Sequence, residues 1–188
     1  MANLKMVSEY LKHNTADLHD AAEKLFSSDK IFNKTFTFDD YKKIIRNNYR
    51  MLLNAENEIF ETLSEGFSEK LQLEQRKKLP LIQKDLENLS LESEHASQPV
   101  IIANQNEALG MMYVIEGSTL GGNVIAKQLS KTEGFENVNF NFFGCYKENT
   151  GAMWKNFKEV LDSEVKEENY SEVLSGAKKL YTLLLNLN

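Results

Sequence analysis

The sequence predicts an all-α fold, a single-domain multi-helical bundle that spans residues 1–188. Apolar residues recur at helical spacings over most of the chain, which is the pattern of amphipathic helices. No stretch sustains the alternation of apolar and polar residues that is typical of a strand, and only Pro80 and Pro99 interrupt the pattern. A chain of 188 residues has the usual length of one domain with a sizeable core.

The first two helices are predicted from their apolar stripes and from one capping signal. The first covers residues 3–26. The second begins after Thr37, which precedes Asp40 by three residues, the spacing of a capping box. This second helix continues to a stop before Gly66. We therefore expect two long helices in the first third of the chain.

Two shorter helices and a loop follow. A helical pattern covers residues 69–79, and Pro80 suits the first turn of another helix that continues through Leu89. Residues 90–99 are polar and end in a proline, so they predict a loop.

The second half of the chain is predicted to contain three helices and one long connector. Asn104 starts a helix that continues to Leu129, with a glutamate at the capping-box position. Residues 131–150 have no helical period but are rich in aromatic residues, so we expect this connector to lie over the core. Residues 152–165 predict the next helix, and Asn169 starts the last one.

Composition excludes several classes of function. The net charge is −6 and no long basic run occurs, which argues against a nucleic-acid-binding protein. The N-terminus does not have the pattern of a secretory signal, and no apolar run is long enough for a membrane span. Cys145 is the only cysteine, so no intramolecular disulfide can form. A reducing, cytoplasmic setting is the expectation.

The helix after Asn104 contains an unusual set of glycines. Gly110, Gly117 and Gly121 fall within about 40° of one another on a helical wheel, so one face has almost no side chains. Gly122 lies about 100° further round and weakens the helix in its middle. Each interior glycine costs a helix about 1 kcal/mol relative to alanine. Close helix packing, a break between two short helices, or approach of a flat ligand to the backbone would each explain them.

His19 lies at the edge of the apolar stripe of the first helix. Glu23 follows one turn later and Lys12 precedes it by two turns, on nearly the same line. A histidine at such a boundary is often only structural. It can also be the axial ligand of an iron porphyrin, with a carboxylate at i+4 holding the other ring nitrogen. No second histidine has metal-ligand spacing, so zinc is not favoured; His13 and His95 are expected at the surface.

Together, the two motifs resemble those of the heme oxygenase family. Residues 11–23, with the sequence LKHNTADLHDAAE, resemble the family's proximal segment. Residues 113–122, YVIEGSTLGG, resemble its kinked distal helix, particularly in the bacterial, biliverdin-producing form. The resemblance covers nearly the whole chain in order. It implies a heme sandwiched between a proximal N-terminal helix and a glycine-rich distal helix.

The resemblance also implies roles for individual residues. His19 is the axial ligand of the iron and Glu23 is its hydrogen-bonding partner, while Lys12 and Lys155 match the positions of basic contacts to the heme propionates. Gly117, Ser118 and Gly121 are the expected catalytic residues, next to the heme and O2. The remaining cofactor-binding residues implied are Thr15, Tyr113, Gly122 and Phe143.

The activity implied is oxidative cleavage of heme b, which is both cofactor and substrate, to biliverdin, CO and ferrous iron. O2 is a co-substrate. The reaction also consumes external electrons, which implies an electron donor such as ferredoxin or a flavoprotein reductase. The biological purpose of heme cleavage is left open between iron acquisition and supply of a bilin chromophore to a photoreceptor.

Two departures from the family pattern leave other functions open. Ser118 stands where many members have an aspartate, and Glu159 stands where mammalian members have an arginine. One alternative is therefore a heme-binding or heme-handling protein without turnover. Another is a thiaminase-like enzyme on a related helical fold, for which Cys145 would be the nucleophile.

Overall fold

The structure, a computed structural model, describes residues 6–96 and 98–187, apart from the side chain of Ser28. This part of the chain is helical, contains no strand, and places its apolar side chains in one contiguous core. The helices are α1 (Val7–Asn14), α2 (Ala16–Leu25), α3 (Ser28–Phe32), α4 (Phe38–Thr62), α5 (Glu65–Leu71), α6 (Leu79–Asn88), α7 (Gln105–Leu129), α8 (Thr150–Glu164) and α9 (Tyr170–Leu185). Short 3₁₀ turns lie at Leu73–Arg76, Lys147–Asn149 and Glu167–Asn169. The all-α prediction is confirmed.

The predicted first helix is divided at Thr15. α1 ends at Asn14 and α2 begins at Ala16. The buried hydroxyl of Thr15 donates a hydrogen bond to the carbonyl of Leu11 over 2.8 Å. Such a side chain competes with the backbone for the same acceptor and disturbs a helix. The prediction of one helix over residues 3–26 is therefore wrong at this position, and residues 3–5 lie outside the described residues.

α4 follows its prediction closely. The amide of Asp40 donates to the hydroxyl of Thr37 over 3.1 Å, and the amide of Thr37 donates back to the Asp40 carboxylate over 2.9 Å. This completes the capping box that the sequence predicts. The helix then runs for 25 residues with one face buried in the core.

The helix predicted over residues 69–79 is wrong. α5 instead covers Glu65–Leu71, and Gln72 ends it with a positive φ of 53°. A 3₁₀ turn follows, and α6 begins where the buried Glu56 carboxylate accepts the amides of Lys78 and Leu79. Pro80 lies in the first turn of α6 as predicted.

α7 is one continuous helix through its glycines, and it packs closely on α9. A Cβ atom at Gly110 would lie 1.8 Å from the carbonyl oxygen of Val173. A Cβ atom at Gly176 would lie 1.9 Å from the carbonyl oxygen of Glu107. The two backbones therefore touch, and close helix packing explains Gly110. Gly110, Gly117 and Gly121 share one side of this continuous helix, but α9 packs on that side at Gly110, whereas a Cβ atom at Gly121 would meet nothing within 4 Å.

The connector between α7 and α8 lies over the core as predicted. Its aromatic residues are buried, and the carboxylate of Asp85 accepts the amides of Asn141 and Phe142 over 3.0 and 2.7 Å. α8 and α9 match their predicted positions, but the side chain of Asn169 does not cap α9. Among the residues that the structure describes, no helix is both long and apolar enough to cross a membrane.

Candidate functional site

His19 lies on α2 with 59% of its side chain exposed. Its Nδ1 atom lies 3.8 Å from Oε1 of Glu23 and 3.9 Å from Oδ1 of Asp20. We refer to these three residues as the His19 cluster. Within the described part of the chain, no hydrogen bond engages Nε2, so this nitrogen is available to a ligand. Sequence reasoning missed Asp20. It directly follows His19 in the sequence, whereas the i+4 spacing of side chains that meet on a helix pointed only to Glu23.

The His19 cluster allows two kinds of chemistry. Carboxylates beside Nδ1 can accept its N–H and thereby direct the lone pair of Nε2 toward an iron atom. The ligand atoms of the three side chains also lie within 4.8 Å of one another, which is close enough for a shared metal ion. All three are exposed, and exposed acidic groups are common without an ion.

α7 presents an exposed apolar face beyond its contact with α9. A Cβ atom at Gly121 would meet nothing within 4 Å. Leu120 and Val124 are 41% and 46% exposed, and with Gly117 and Gly121 they share a sector of about 100° around the helix. We call Gly117, Leu120, Gly121 and Val124 the open face of α7. Large apolar side chains exposed together on one face are typical of an interaction site.

An aromatic pair borders the open face of α7 at Gly117. A Cβ atom at Gly117 would lie 3.5 Å from Cη2 of Trp154. The Trp154 ring lies 5.4 Å, centroid to centroid, from the ring of Tyr113, which is half-buried. Burial raises the pKa of Tyr113 to about 12. Tyr113 is one of the site residues predicted from the sequence, whereas Trp154 is not.

Tyr181 links the two predicted halves of the site. It lies on α9, against which both α2 and α7 pack. Burial raises the pKa of Tyr181, and the nearby charges of Tyr113 and Glu23 raise it further. α2, which carries the His19 cluster, and α7, which carries the open face, therefore pack against the same helix.

The two predicted basic contacts are exposed on neighbouring helices. Lys12 lies on α1, and Lys155 lies on α8 with its Nζ atom 3.6 Å from Oε1 of Glu159. α1 and α8 are joined where the amide and hydroxyl of Ser8 donate to Asp162 over 2.8 and 2.7 Å. The helices that carry the two lysines are therefore held together.

Thr15, Gly122 and Phe143 occupy buried positions. The hydroxyl of Thr15, between α1 and α2, is already engaged by the carbonyl of Leu11. A Cβ atom at Gly122 would lie 2.8 Å from Cδ1 of Phe143, so these two residues pack the connector against α7. They lie on a different side of α7 from Gly121, which faces open space.

Ser118 is exposed beside the open face of α7. Its hydroxyl donates to the carbonyl of Ile115 over 2.7 Å. The hydroxyl oxygen therefore keeps its acceptor capacity, while its proton is already engaged.

A buried group of charged residues around Glu116, the neighbour of Gly117 in sequence, was missed by sequence reasoning. Arg76, Lys78 and Glu116 are almost fully buried and paired with one another. No local pattern distinguishes them from the many exposed charges of this chain. Cys145 lies next to this group, and burial raises the pKa of its thiol. A raised pKa disfavours the thiolate that the thiaminase-like alternative needs.

The comparisons with known proteins agree with the sequence motifs. The family model described as heme oxygenase matches residues 5–187. A heme oxygenase from Xanthomonas campestris pv. campestris (strain 8004) is 28% identical over 144 residues, which are 76% of this chain and 85% of that relative.

The fold also matches a solved structure, the NO- and CO-bound heme oxygenase from Neisseria meningitidis. The two share 19% sequence identity and a TM-score of 0.69, covering 96% of this chain and 90% of the other. At this identity the likeness shows a common fold. Because the family model spans nearly all of its residues, the chain belongs to the heme oxygenase family of heme-degrading enzymes.

Proposed function

We propose that the chain holds heme b between the His19 cluster and the open face of α7 and cleaves it oxidatively to biliverdin, CO and ferrous iron. The open face of α7 is the observation that carries this proposal. A porphyrin ring is flat and apolar on both faces, so it fits a helix surface that has exposed apolar side chains and no side chain at Gly121. Family membership supplies the reaction class.

His19 is the proposed axial ligand of the heme iron, through Nε2. Glu23 and Asp20 lie beside Nδ1 and would accept its N–H, which keeps the imidazole neutral and fixes its tautomer. Bound heme supplies the iron that activates O2 and the ring carbon that is oxidised.

Lys12 and Lys155 are the proposed partners of the heme propionates. Both ammonium groups are exposed, and their helices are joined through Ser8 and Asp162. Glu159 competes for Lys155, because the two side chains already form an exposed pair. Exposed pairs of this kind contribute at most about 1 kcal/mol, so exchange of Glu159 for a propionate costs little.

The distal side of the proposed site is formed by Gly117, Ser118 and Gly121. The two glycines let the helix backbone approach the ring, which leaves room for O2 but for no bulky side chain. Ser118 offers an acceptor oxygen that can orient a water molecule for proton delivery. Tyr113 closes the site at its edge through its contact with Trp154.

External electrons are required, and we propose a ferredoxin or a flavoprotein reductase as the donor. The product biliverdin can serve a bilin-binding photoreceptor, and the released iron can serve iron acquisition. A cytoplasmic location is consistent with both proposed electron donors.

The test is to mix the purified protein with hemin and follow the absorption spectrum. We expect a Soret band on binding and, after a ferredoxin with its reductase is added, its replacement by biliverdin absorption. Catalase in the assay removes free peroxide, which degrades heme without enzyme. A Soret band that persists through repeated addition of electrons, with both a ferredoxin and a flavoprotein donor, would overturn the proposal and favour a heme-handling protein.

A further inference from the structure

A buried ion network is attached to α7 at Glu116, the residue next to Gly117 of the open face. Its members are Arg76, Lys78, Glu116 and Tyr146, all of them buried. The carboxylate of Glu116 accepts hydrogen bonds from the guanidinium of Arg76 and from the ammonium of Lys78. The hydroxyl of Tyr146 lies 2.9 Å from Oε1 and 3.1 Å from Oε2 of the same carboxylate. We call these four residues the Glu116 network; Glu116 immediately precedes Gly117.

Arg76 joins α7 to α8 on both sides of Trp154. While its Nη1 donates to Glu116, its Nη2 donates to the carbonyl oxygen of Met153 over 3.2 Å and to Oδ1 of Asn156 over 2.8 Å. A guanidinium can make these bonds at once because its donors form a rigid planar fork. Met153 directly precedes Trp154, the residue that packs on Gly117. The side chain of Arg76 is therefore hydrogen-bonded to both α7 and α8 close to the contact between Trp154 and Gly117.

Lys78 completes the network on the side of the connector. Its ammonium donates to the hydroxyl of Tyr146 over 3.0 Å, and its backbone amide donates to Glu56 over 2.6 Å. Burial lowers the pKa of Lys78, but the charges of Glu116, Tyr146 and Cys145 and the hydrogen bond to Glu116 together outweigh burial and leave that pKa above its ordinary value. The two buried cations Arg76 and Lys78 therefore share the carboxylate of Glu116, while the carboxylate of Glu56 accepts the backbone amide of Lys78.

A buried ion network of this kind contributes little net stability, and its main effect is to fix how the helices that carry it are positioned relative to one another. Buried ion pairs often contribute no more stability than apolar residues of the same volume, and their best-attested use is to fix register. Glu116 and Gly117 point about 100° apart on α7. Because Glu116 is held inward by its partners, Gly117 and Gly121 are turned toward the open face. The network therefore determines both the rotation of α7 and the place of Trp154 beside it.

We propose that Arg76 and Glu116 are positioning residues, which hold Trp154 against Gly117 and so set the shape of the site in which heme is cleaved. The contact with heme is made by the open face of α7, and the two charged residues act on it through α7 and α8. This inference rests on the proposed function for its catalytic consequence, but its structural part applies to the heme-free protein.

The structural part can be tested with tryptophan fluorescence, because Trp154 is the only tryptophan in the chain. Arg76→Lys retains the charge beside Glu116 but lacks the fork that reaches α8, and Glu116→Gln retains the shape of the carboxylate. In the heme-free protein, we expect both variants to shift the Trp154 emission to longer wavelength and to increase its quenching by acrylamide.

Glu107→Gln is the matched control for these variants. Glu107 is also a buried glutamate of α7, and it is also paired with a lysine, Lys179, at 2.7 Å. It lies at the start of α7, against α9 and away from Trp154. We expect this variant to lose comparable stability and to keep the wild-type emission. Wild-type emission and quenching in folded Arg76→Lys would overturn the inference.

Removal of one buried charge can prevent folding, so a second variant is needed. Arg76→Met, Lys78→Met and Glu116→Leu combined replace the ion network with apolar groups of similar size, which buried networks often tolerate. Circular dichroism confirms that this variant is folded. We expect a changed Trp154 environment in it as well, and an unchanged environment would again overturn the inference.

The catalytic part is tested with heme. We expect Arg76→Lys to bind heme with nearly wild-type affinity and to cleave it about 10- to 100-fold more slowly, since a misplacement of about 1 Å can cost on the order of 100-fold. Loss of affinity at unchanged turnover would contradict a positioning role. If the wild-type protein fails to cleave heme, the proposed function fails, whereas the Trp154 measurement still decides whether the network places Trp154.

Discussion

The imidazole Nδ1 of His19 lies 3.8 Å from the Oε1 atom of Glu23, one turn further along α2. This distance is longer than a hydrogen bond, and both side chains are exposed, so a small rotamer change brings them into contact. In the proposed complex, iron binding at Nε2 makes the Nδ1 proton a better donor. The carboxylate is then in place to accept it.

The first prediction concerns His19→Ala. We expect this variant to lose the Soret spectrum of a histidine-ligated heme and all heme cleavage, because His19 is the proposed ligand of the iron. Added imidazole should restore part of the spectrum by occupying the vacated position. His13→Ala is the control, since His13 is exposed on α1 outside the His19 cluster. A wild-type spectrum in His19→Ala would place the iron ligand elsewhere.

The second prediction compares the two carboxylates of the His19 cluster. Loss of a partner that holds a ligating histidine typically costs about 10- to 100-fold in metal affinity or activity. Glu23→Gln should fall in this range, and the iron–histidine stretching frequency of ferrous heme should decrease. Asp20→Asn is the matched variant at a nearly equal distance. A larger effect for Asp20→Asn would assign the supporting role to Asp20 instead.

The third prediction separates the glycines of α7. Gly121→Ala should fold and gain about 1 kcal/mol in the free energy of unfolding, because an exposed helical glycine is replaced where nothing obstructs a Cβ atom. Its heme affinity should fall, since the methyl group enters the open face. Gly110→Ala should lose about 3 kcal/mol or more, because its Cβ atom would overlap the backbone of α9. Urea unfolding and heme titration measure both effects, and equal stability losses would contradict this division.

The same glycines show how far the sequence predicts the site. Periodicity places Gly110, Gly117 and Gly121 on one face of a helix, but the wheel contains no information on what packs against each turn. The backbone of α9 packs on Gly110, the edge of the Trp154 ring borders Gly117, and a Cβ atom at Gly121 would meet nothing within 4 Å. These differences arise from tertiary contacts between segments that are distant in sequence.

The break at Thr15 and the Glu116 network were not predictable for related reasons. A threonine inside an amphipathic stripe usually leaves a helix intact, and only the chosen rotamer of Thr15 directs its hydroxyl to Leu11. In the sequence, Glu116 is 40 residues from Arg76 and 38 residues from Lys78. Their pairing depends on the fold itself, whereas helix starts such as Thr37 and Asp40 depend on neighbours that the sequence shows directly.

The fourth prediction concerns the pH dependence of the α4 cap. The backbone hydrogen bond from Thr37, assisted by Lys30, lowers the pKa of Asp40 below 3.8, although partial burial opposes this. Its contribution to stability is therefore fully present above pH 3.8 and is lost as the pH falls through the folded-state pKa. Asp40→Ala should cost about 1 kcal/mol at neutral pH, and the difference from wild type should shrink in acid.

Urea unfolding at neutral pH and at a pH below 3.8 measures this difference. Asp39→Ala is the control, because Asp39 lies in the same first turn of α4 and is exposed outside the capping box. A difference between Asp40→Ala and wild type that stays constant with pH would show that the cap does not depend on the charge of Asp40.

The last prediction concerns Ser118, the polar side chain at the border of the open face of α7. Its hydroxyl proton is engaged by the carbonyl of Ile115, so toward a water molecule the oxygen acts only as an acceptor. Ser118→Ala should leave stability nearly unchanged and slow heme cleavage by about 100-fold or more, the lower end of the range for lost proton-transfer assistance. Ser118→Asp should retain turnover, because a carboxylate is a stronger acceptor at the same position.

Thr119→Val is the control for Ser118→Ala, since the buried hydroxyl of Thr119 donates the same kind of hydrogen bond, to the carbonyl of Glu116. Equal slowing in Ser118→Ala and Thr119→Val would show that both hydroxyls matter only to the helix, whereas slowing confined to Ser118→Ala and a larger solvent isotope effect in that variant would place proton delivery at Ser118.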